Sequence, residues 1–186
     1  MSTLMIVLGS VREGRVGLPI AQWVRRTAEA DGRFDVDFAD LAAVGLPPMD
    51  EPMHPAARQY QRPHTVAWSE RVTAADAFFF CFPEYNHSYA APIKNALDYL
   101  VVEWARKPVG FVNWGGNSGG TRAQVALRPV VVSLGMVMTR GNVEINGPHA
   151  QVTDGVFEPN EQQRAVLAAQ LDELATLAVL LTPLQG

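Results

Sequence analysis

Residues 78–100, FFFCFPEYNHSYAAPIKNALDYL, compress three kinds of local structure into one stretch. Phe78, Phe79, Phe80, Cys81 and Phe82 form an unbroken apolar run, short enough for a strand buried on both faces. Pro83 ends that ladder, because it has no N–H to give and its ring fixes φ. Asn86, His87, Ser88 and Tyr89 then make a polar loop tipped with an aromatic ring. From Ala91 the apolar spacing turns helical, with Ile93, Ala96, Leu97 and Leu100 on one face. A buried strand, a polar loop at its carboxyl end and a helix after it is how open α/β sheets build ligand sites.

The same alternation extends outward. Leu4, Met5, Ile6, Val7 and Leu8 form a second apolar run, closed by Gly9-Ser10. Ile20, Trp23, Val24, Thr27 and Ala28 recur at helical spacing behind Pro19, which suits a first turn. Residues 34–38, FDVDF, alternate with period two like an edge strand. A helix over about 65–75 leads into the Phe78 run. Beyond it, Val109, Phe111 and Val112 predict a buried strand, and Val125, Ala126, Pro129 and Val132 a helix that Pro129 should kink or restart. Met136, Val137 and Met138 open a last strand that resumes at 143–145. Residues 146–159 read as loop, and 161–181 as a helix with Leu167, Leu171, Leu174, Ala178 and Leu181 toward the core.

Five strand–helix alternations with strands apolar on both faces predict a doubly wound parallel α/β sheet, helices on both sides, in one domain over residues 1–186. The exception is 43–63, where Pro47, Pro48, Pro52, Pro55 and Pro63 mix with Met49, Met53, His54 and Tyr60 without a period. A loop this long in a compact domain is a functional segment or an interface.

Composition narrows the function classes. A net charge of -4 gives no general attraction to nucleic acid or to an acidic membrane surface. No run approaches the ~20 apolar residues of a membrane span. Cys81 is the only cysteine, so no internal disulfide forms, and its apolar setting predicts an inert buried thiol. The amino-terminal run is too short for a signal core, so the chain reads as cytoplasmic. His54, His64 and His87 show no metal-ligand spacing, and no metal is expected. Trp23, Trp68 and Trp104 read as core residues, whereas Trp114 and Tyr85, at strand ends, are placed for ring stacking.

Three loops fall at strand carboxyl ends: 9–17, 83–88 and 115–120. The first, GSVREGRVG, leads into a helix amino terminus, where free N–H groups and the helix dipole favour a phosphate. Ser10 adds a hydroxyl donor, and Arg12 and Arg15 add charge. It lacks both the Gly-Lys-Ser/Thr of a triphosphate loop and G-x-G-x-x-G. The third, Gly115-Gly116-Asn117-Ser118-Gly119-Gly120, is flexible enough for its backbone to approach a flat ligand. It also spells G-x-S-x-G between a strand and a helix, so a hydrolase with Ser118, Glu144 and His149 is a rival.

Together these loops resemble the NADPH-dependent FMN reductase family, within the flavodoxin-like flavoproteins. The resemblance is carried by Gly9-Ser10-Val11-Arg12, by Pro83-Glu84-Tyr85-Asn86 with Pro92-Ile93-Lys94-Asn95-Ala96-Leu97-Asp98, and by Gly119-Gly120-Thr121-Arg122-Ala123. It implies a flavodoxin-like fold, FMN as cofactor, and NADPH or NADH as electron donor. The acceptor it implies is small: a quinone, a free flavin, an azo compound or a metal oxyanion. It further implies an FMN site on Gly9, Ser10, Arg12, Arg15, Val16 and Gly17, on Pro83, Glu84, Tyr85, Asn86 and Ser88, and on Gly115, Gly116, Asn117, Ser118 and Gly119. Arg15 and Gly17 stand where many members have Ser and Asn. Lys94, Asn95 and Asp98 are expected in helix-start and packing roles, and Glu84 in a structural or solvent-facing one. No side chain is assigned as acid, base or nucleophile, because FMN carries the redox steps. A flavodoxin-type electron carrier is the other reading of this fold. The 43–63 loop and the helix after the second loop are expected to pair copies of the chain as a homodimer or homotetramer.

Overall fold

A computed structural model describes Met1–Leu184. Five parallel strands, β1 (Ser2–Leu8), β2 (Phe34–Asp40), β3 (Ala77–Tyr85), β5 (Pro108–Gly115) and β6 (Val137–Asn146), lie in the order β2-β1-β3-β5-β6. This is the flavodoxin-like order, and the chain reverses direction across the sheet between β1 and β3. Helices α1 (Gly17–Asp31), α3 (Pro63–Ala74), α4 (Ala91–Asp98), α5 (Thr121–Ser133) and α6 (Glu161–Leu181) cover it, with a short α2 (Leu41–Val44) after β2.

The central strands β1, β3 and β5 are buried over most of their length because each side chain parity has its own core, whereas the edge strands β2 and β6 are mixed. Met5, Val7, Phe78, Phe80, Phe82 and Phe111 pack with Trp68 of α3, Ile93 and Leu97 of α4, and Leu127 of α5. Leu4, Ile6, Leu8, Phe79, Cys81 and Val112 pack on the other face with Ile20 and Val24 of α1 and Leu167, Leu171 and Leu174 of α6. Trp68 and Trp104 are buried and donate their indole N–H groups to Ala96 O at 3.0 Å and Leu97 O at 3.2 Å, as buried indoles must. Burial pushes the Cys81 thiol well up, which keeps it protonated and inert.

Several local expectations are corrected. Pro83 does not stop β3, whose ladder continues through Pro83 opposite Trp114. Cys81 O accepts from Gly9 N at 2.8 Å, so Cys81 and, two residues on, Pro83 turn their backbone groups toward β1. There β1 has ended, and no ladder bond is missed. The "loop" at 86–89 is a hairpin: Asn86 and His87 form a two-residue turn with φ 48° and 70°, and β4 (Ser88–Tyr89) returns along β3. Pro129 does not restart α5, which runs uninterrupted from Thr121 to Ser133, and both Pro129 and Val125, whose carbonyl loses its partner, face water.

Val137–Asn146 form one strand rather than two pieces, and Met136 lies just before it. Between Val109↔Met138 and Phe111↔Asn142 the register of β6 slips, leaving a bulge. Gln170 of α6 plugs it, donating to Gly141 O at 2.6 Å and Phe111 O at 3.2 Å. The 146–159 segment holds a 3₁₀ turn (Pro148–Gln151) and a hairpin of β7 (Val152–Thr153) and β8 (Val156–Phe157); buried Phe157 packs on Trp23, ring centroids 5.2 Å apart. Among the described residues one helical stretch, Glu161–Leu184, is long and apolar enough to cross a membrane, with mean hydropathy 1.6 over its most apolar window, although it contains no unbroken apolar run of that length. Its Leu167, Leu171, Leu174 and Ala178 stripe nevertheless lies in the core and an Asn160–Gln163 capping box starts it, as in a sheet-packed helix.

Candidate functional site

The carboxyl ends of β1, β3, β5 and β6 surround a cavity of about 270 Å³. Ser10, Arg12, Gly14, Arg15 and Val16 line one side, Pro83, Glu84 and Tyr85 another, and Trp114, Gly115 and Gly116 a third. Gly147, Pro148 and His149 close the fourth. The site therefore stands at the strand-order reversal, where doubly wound sheets open a crevice. A larger, mostly apolar cleft of about 480 Å³ lies beside it, beyond Val11, against α2, α4 and the 43–63 loop.

The β1 side is built for an anion. Helix α1 begins without a side-chain cap and without an acidic residue in its first turn, so its first N–H groups are open. Ser10 is buried beside Gly17, and Arg12 has no ion-pair partner among the described residues. Gly17 is obligatory for packing: a Cβ there would come within 2.4 Å of Trp114 Cζ2 and 3.2 Å of Ser10 Cβ. Arg15 is already committed, its Nη2 paired with Asp40 at the end of β2. Its buried Nε has no partner, so charge remains near the loop while the fork is spent on a carboxylate.

The opposite wall is flat and carbon-rich. Trp114 is buried, packed in the α1 and α6 core, so it forms a wall rather than a free stacking ring. Tyr85 is 38% exposed at the rim and remains able to stack. A Cβ on Gly116 would meet nothing within 4 Å, which leaves that backbone open to a ligand. Gly147 N donates to Gly115 O at 3.0 Å, tying the fourth loop to the third.

Nine of the sixteen residues expected at the site line this cavity: Ser10, Arg12, Arg15, Val16, Pro83, Glu84, Tyr85, Gly115 and Gly116. Seven do not. Gly9 packs against Ile93 and Phe82, and Gly17 lies behind Trp114. Asn86 and Ser88 belong to the hairpin. Asn117 is exposed outside the cavity lining, and Ser118 and Gly119 fold back toward Glu84 and β6: Ser118 Oγ donates to Glu84 at 2.5 Å, and Gly119 abuts Glu144 and Asn146. Ser118 thus has a carboxylate partner rather than a histidine, which removes the hydrolase triad. Gly147, Pro148 and His149 were missed as site residues. The signal was available, since every carboxyl end of a parallel strand is a candidate wall and 146–159 follows one.

Lys94 and Asp98 pair one helical turn apart at 2.6 Å. Asn95 instead anchors the 43–63 loop, accepting from Met49 N at 3.0 Å and donating to Pro47 O at 2.7 Å. Among the described residues no group of three His, Cys, Asp or Glu could hold a metal ion.

The residues present fit FMN: an uncapped helix start with Ser10 and Arg12 for a phosphate, and a Trp114–Gly116 wall for a flat ring. Comparison with known proteins agrees. The family model for NADPH-dependent FMN reductases matches residues 1–149. An NAD(P)H-dependent FMN reductase of Schizosaccharomyces pombe is 35% identical over 158 residues, covering 84% of this chain and 78% of that protein. One from Saccharomyces cerevisiae is 36% identical over 147 residues, covering 73% and 76%. Among solved structures, FerB, a flavoenzyme NAD(P)H:(acceptor) oxidoreductase from Paracoccus denitrificans, superposes with a TM-score of 0.74 at 23% identity, over 97% of this chain and 99% of that one. This chain belongs to the NADPH-dependent FMN reductase family.

Proposed function

We propose that this chain is an FMN-dependent NAD(P)H oxidoreductase that passes electrons to a small acceptor of the quinone class. The observation that carries it is the joining, in one cavity, of an uncapped helix start flanked by Ser10 and Arg12 with a flat wall at Trp114 and Gly116. FMN, when bound, accepts hydride from the nicotinamide nucleotide and returns electrons to the acceptor. The chain's own residues bind and orient. Ser10, Arg12 and the first N–H groups of α1 take the phosphate. Pro83–Tyr85 and Gly115–Gly116 would flank the ring, and Gly147–His149, which line the remaining side of the cavity, would limit its access to water. No side chain need donate a proton in the chemical step.

The quinone class is supported by relatives named NADPH:quinone oxidoreductase, one of them 41% identical over 102 residues, in rice. A cytoplasmic setting suits a chain with one buried free thiol. Pairing of copies through the 43–63 loop and α4 is supported by the apolar cleft between them and by exposed Met49 and Met53.

The test is reconstitution. Purified protein with FMN should show bound-flavin absorbance and oxidise NADPH or NADH with a quinone, a free flavin, an azo dye or a metal oxyanion as acceptor. Protein that retains no flavin and oxidises neither nucleotide refutes the reading. Flavin that free nucleotide cannot reduce without a partner reductase would instead mark an electron carrier.

A further inference from the structure

We propose that Glu84 is a positioning residue for the flavin: its carboxylate fastens the 115–120 loop to the end of β3 and, with Arg122, fixes the charge on that wall of the cavity. This rests on the FMN reading above. Glu84 lines the cavity, yet its side chain is only 5% exposed, and every contact it makes draws another loop toward it. Its Oε2 accepts from Ser118 Oγ at 2.5 Å and from the backbone N–H of Arg122 at 3.1 Å. Its Oε1 accepts from Arg122 Nε at 2.6 Å, and Arg122 Nη2 lies 2.6 Å from the same oxygen.

Two consequences follow from those partners. Helix α5 begins at Gly120, which has no side chain to cap it, and the Glu84 carboxylate takes that role from a different strand. Ser118 Oγ also accepts from Gly120 N at 3.2 Å, and Asn113 Nδ2 donates to Gly119 O at 2.9 Å, so the whole turn is held from beneath. What this leaves facing the cavity is the backbone of Gly115 and Gly116; Gly115 is tied to β6 and to Gly147 N, and Gly116, past the strand end, depends on the turn that follows it. A charge-assisted grip that engages both carboxylate oxygens is the kind of contact that fixes such a turn.

The carboxylate is also ionised. Burial pushes its pKa up, but the Ser118 hydroxyl and Arg122 together outweigh burial and hold it below the usual range. With its oxygens engaged by Ser118 and Arg122, Glu84 exchanges no proton with a ligand. Its effect on the bound flavin runs through loop position and through field.

The experiment compares wild type, Glu84→Gln, Arg122→Gln and the double variant. Arg122 is 45% exposed at its side chain, so its replacement leaves the core intact even if Glu84→Gln folds poorly. In the apoprotein, amide hydrogen exchange over residues 115–120 should quicken in both single variants. The FMN dissociation constant, read by flavin fluorescence, should rise on the order of tenfold in each, the worth of a lost charge-assisted bond. The double variant should bind no worse than the weaker single one, as for two halves of one contact. The midpoint potential of bound FMN should rise in Glu84→Gln, which removes an anion, and fall in Arg122→Gln, which removes a cation. A merely structural role would not split the potentials. Affinity left unchanged in both single variants, or potentials moving the same way, overturns the proposal alone. Wild-type protein that binds no FMN overturns the FMN reading, and this proposal with it.

Discussion

Replacing Gly17 by alanine sets two effects of opposite sign against each other. Gly17 opens α1 with an ordinary φ, and in such a position Gly→Ala stabilises by about 0.4–1 kcal/mol by restricting the unfolded chain. The added methyl, however, would lie 2.4 Å from Trp114 Cζ2 and 2.9 Å from Cη2. Those are the far atoms of a ring, but Trp114 is 4% exposed and packed in the α1–α6 core, so the ring has little room to retreat. Overpacking of this kind costs about 1–3 kcal/mol. The clash wins, and the net loss is on the order of 1–2 kcal/mol. For a chain of 186 residues that lowers the melting temperature by roughly 2–8 °C. Urea unfolding followed by tryptophan fluorescence should show a lower midpoint at unchanged slope. Because Trp114 and Ser10 both line the cavity, FMN affinity should fall with it. Gly116→Ala is the matched control: its methyl meets no atom, so stability should stay within about 0.5 kcal/mol while ligand approach suffers. A Gly17→Ala protein as stable as wild type, with intact FMN affinity, would refute the reasoning.

Gly120→Ala should be worse than Gly17→Ala. At φ 88° the new Cβ would lie 2.7 Å from Trp114 N, an immovable backbone atom, so left-handed strain adds to collision, and urea unfolding should show a loss above about 3 kcal/mol or no folded protein. Lys107 supplies a pH dependence. Its ammonium is buried, held by Val72 O at 2.9 Å and Thr73 O at 3.0 Å, and burial lowers its pKa to about 8. Between that value and the ordinary one near 10.5 the unfolded chain binds the extra proton, so this group makes stability rise with pH above about 8. Denaturant midpoints at pH 7.5 and 9.5 should show the rise in wild type and its loss in Lys107→Met. Tyr60 and Tyr99, pushed up mainly by burial, act in the opposite sense only near and above pH 10.

Sequence pattern carries the fold here because each parity of the buried strands meets its own set of helices. An apolar run such as Leu4–Leu8 or Phe78–Phe82 can satisfy that demand only in a sheet covered on both faces. The same pattern misleads wherever the outcome depends on a neighbour's length rather than on local chemistry. Pro83 continues its strand because β1 stops short, a fact no local rule about proline contains. Asn86-His87 turns with both residues at positive φ, so a segment that reads as loop becomes a hairpin. At the site, the β1 wall of the cavity was legible because a strand, a glycine loop and a helix start are contiguous in the chain. The partners of Ser118 were not. G-x-S-x-G fixes a hydroxyl on a turn, but only folding decides whether a histidine or a carboxylate arrives, and here Glu84 comes from β3, 34 residues away. A motif names a donor. The acceptor is chosen by the strand order, which places β3 beside β5 and so makes the residue after Pro83, rather than one on the strand after the serine, the hydroxyl's partner.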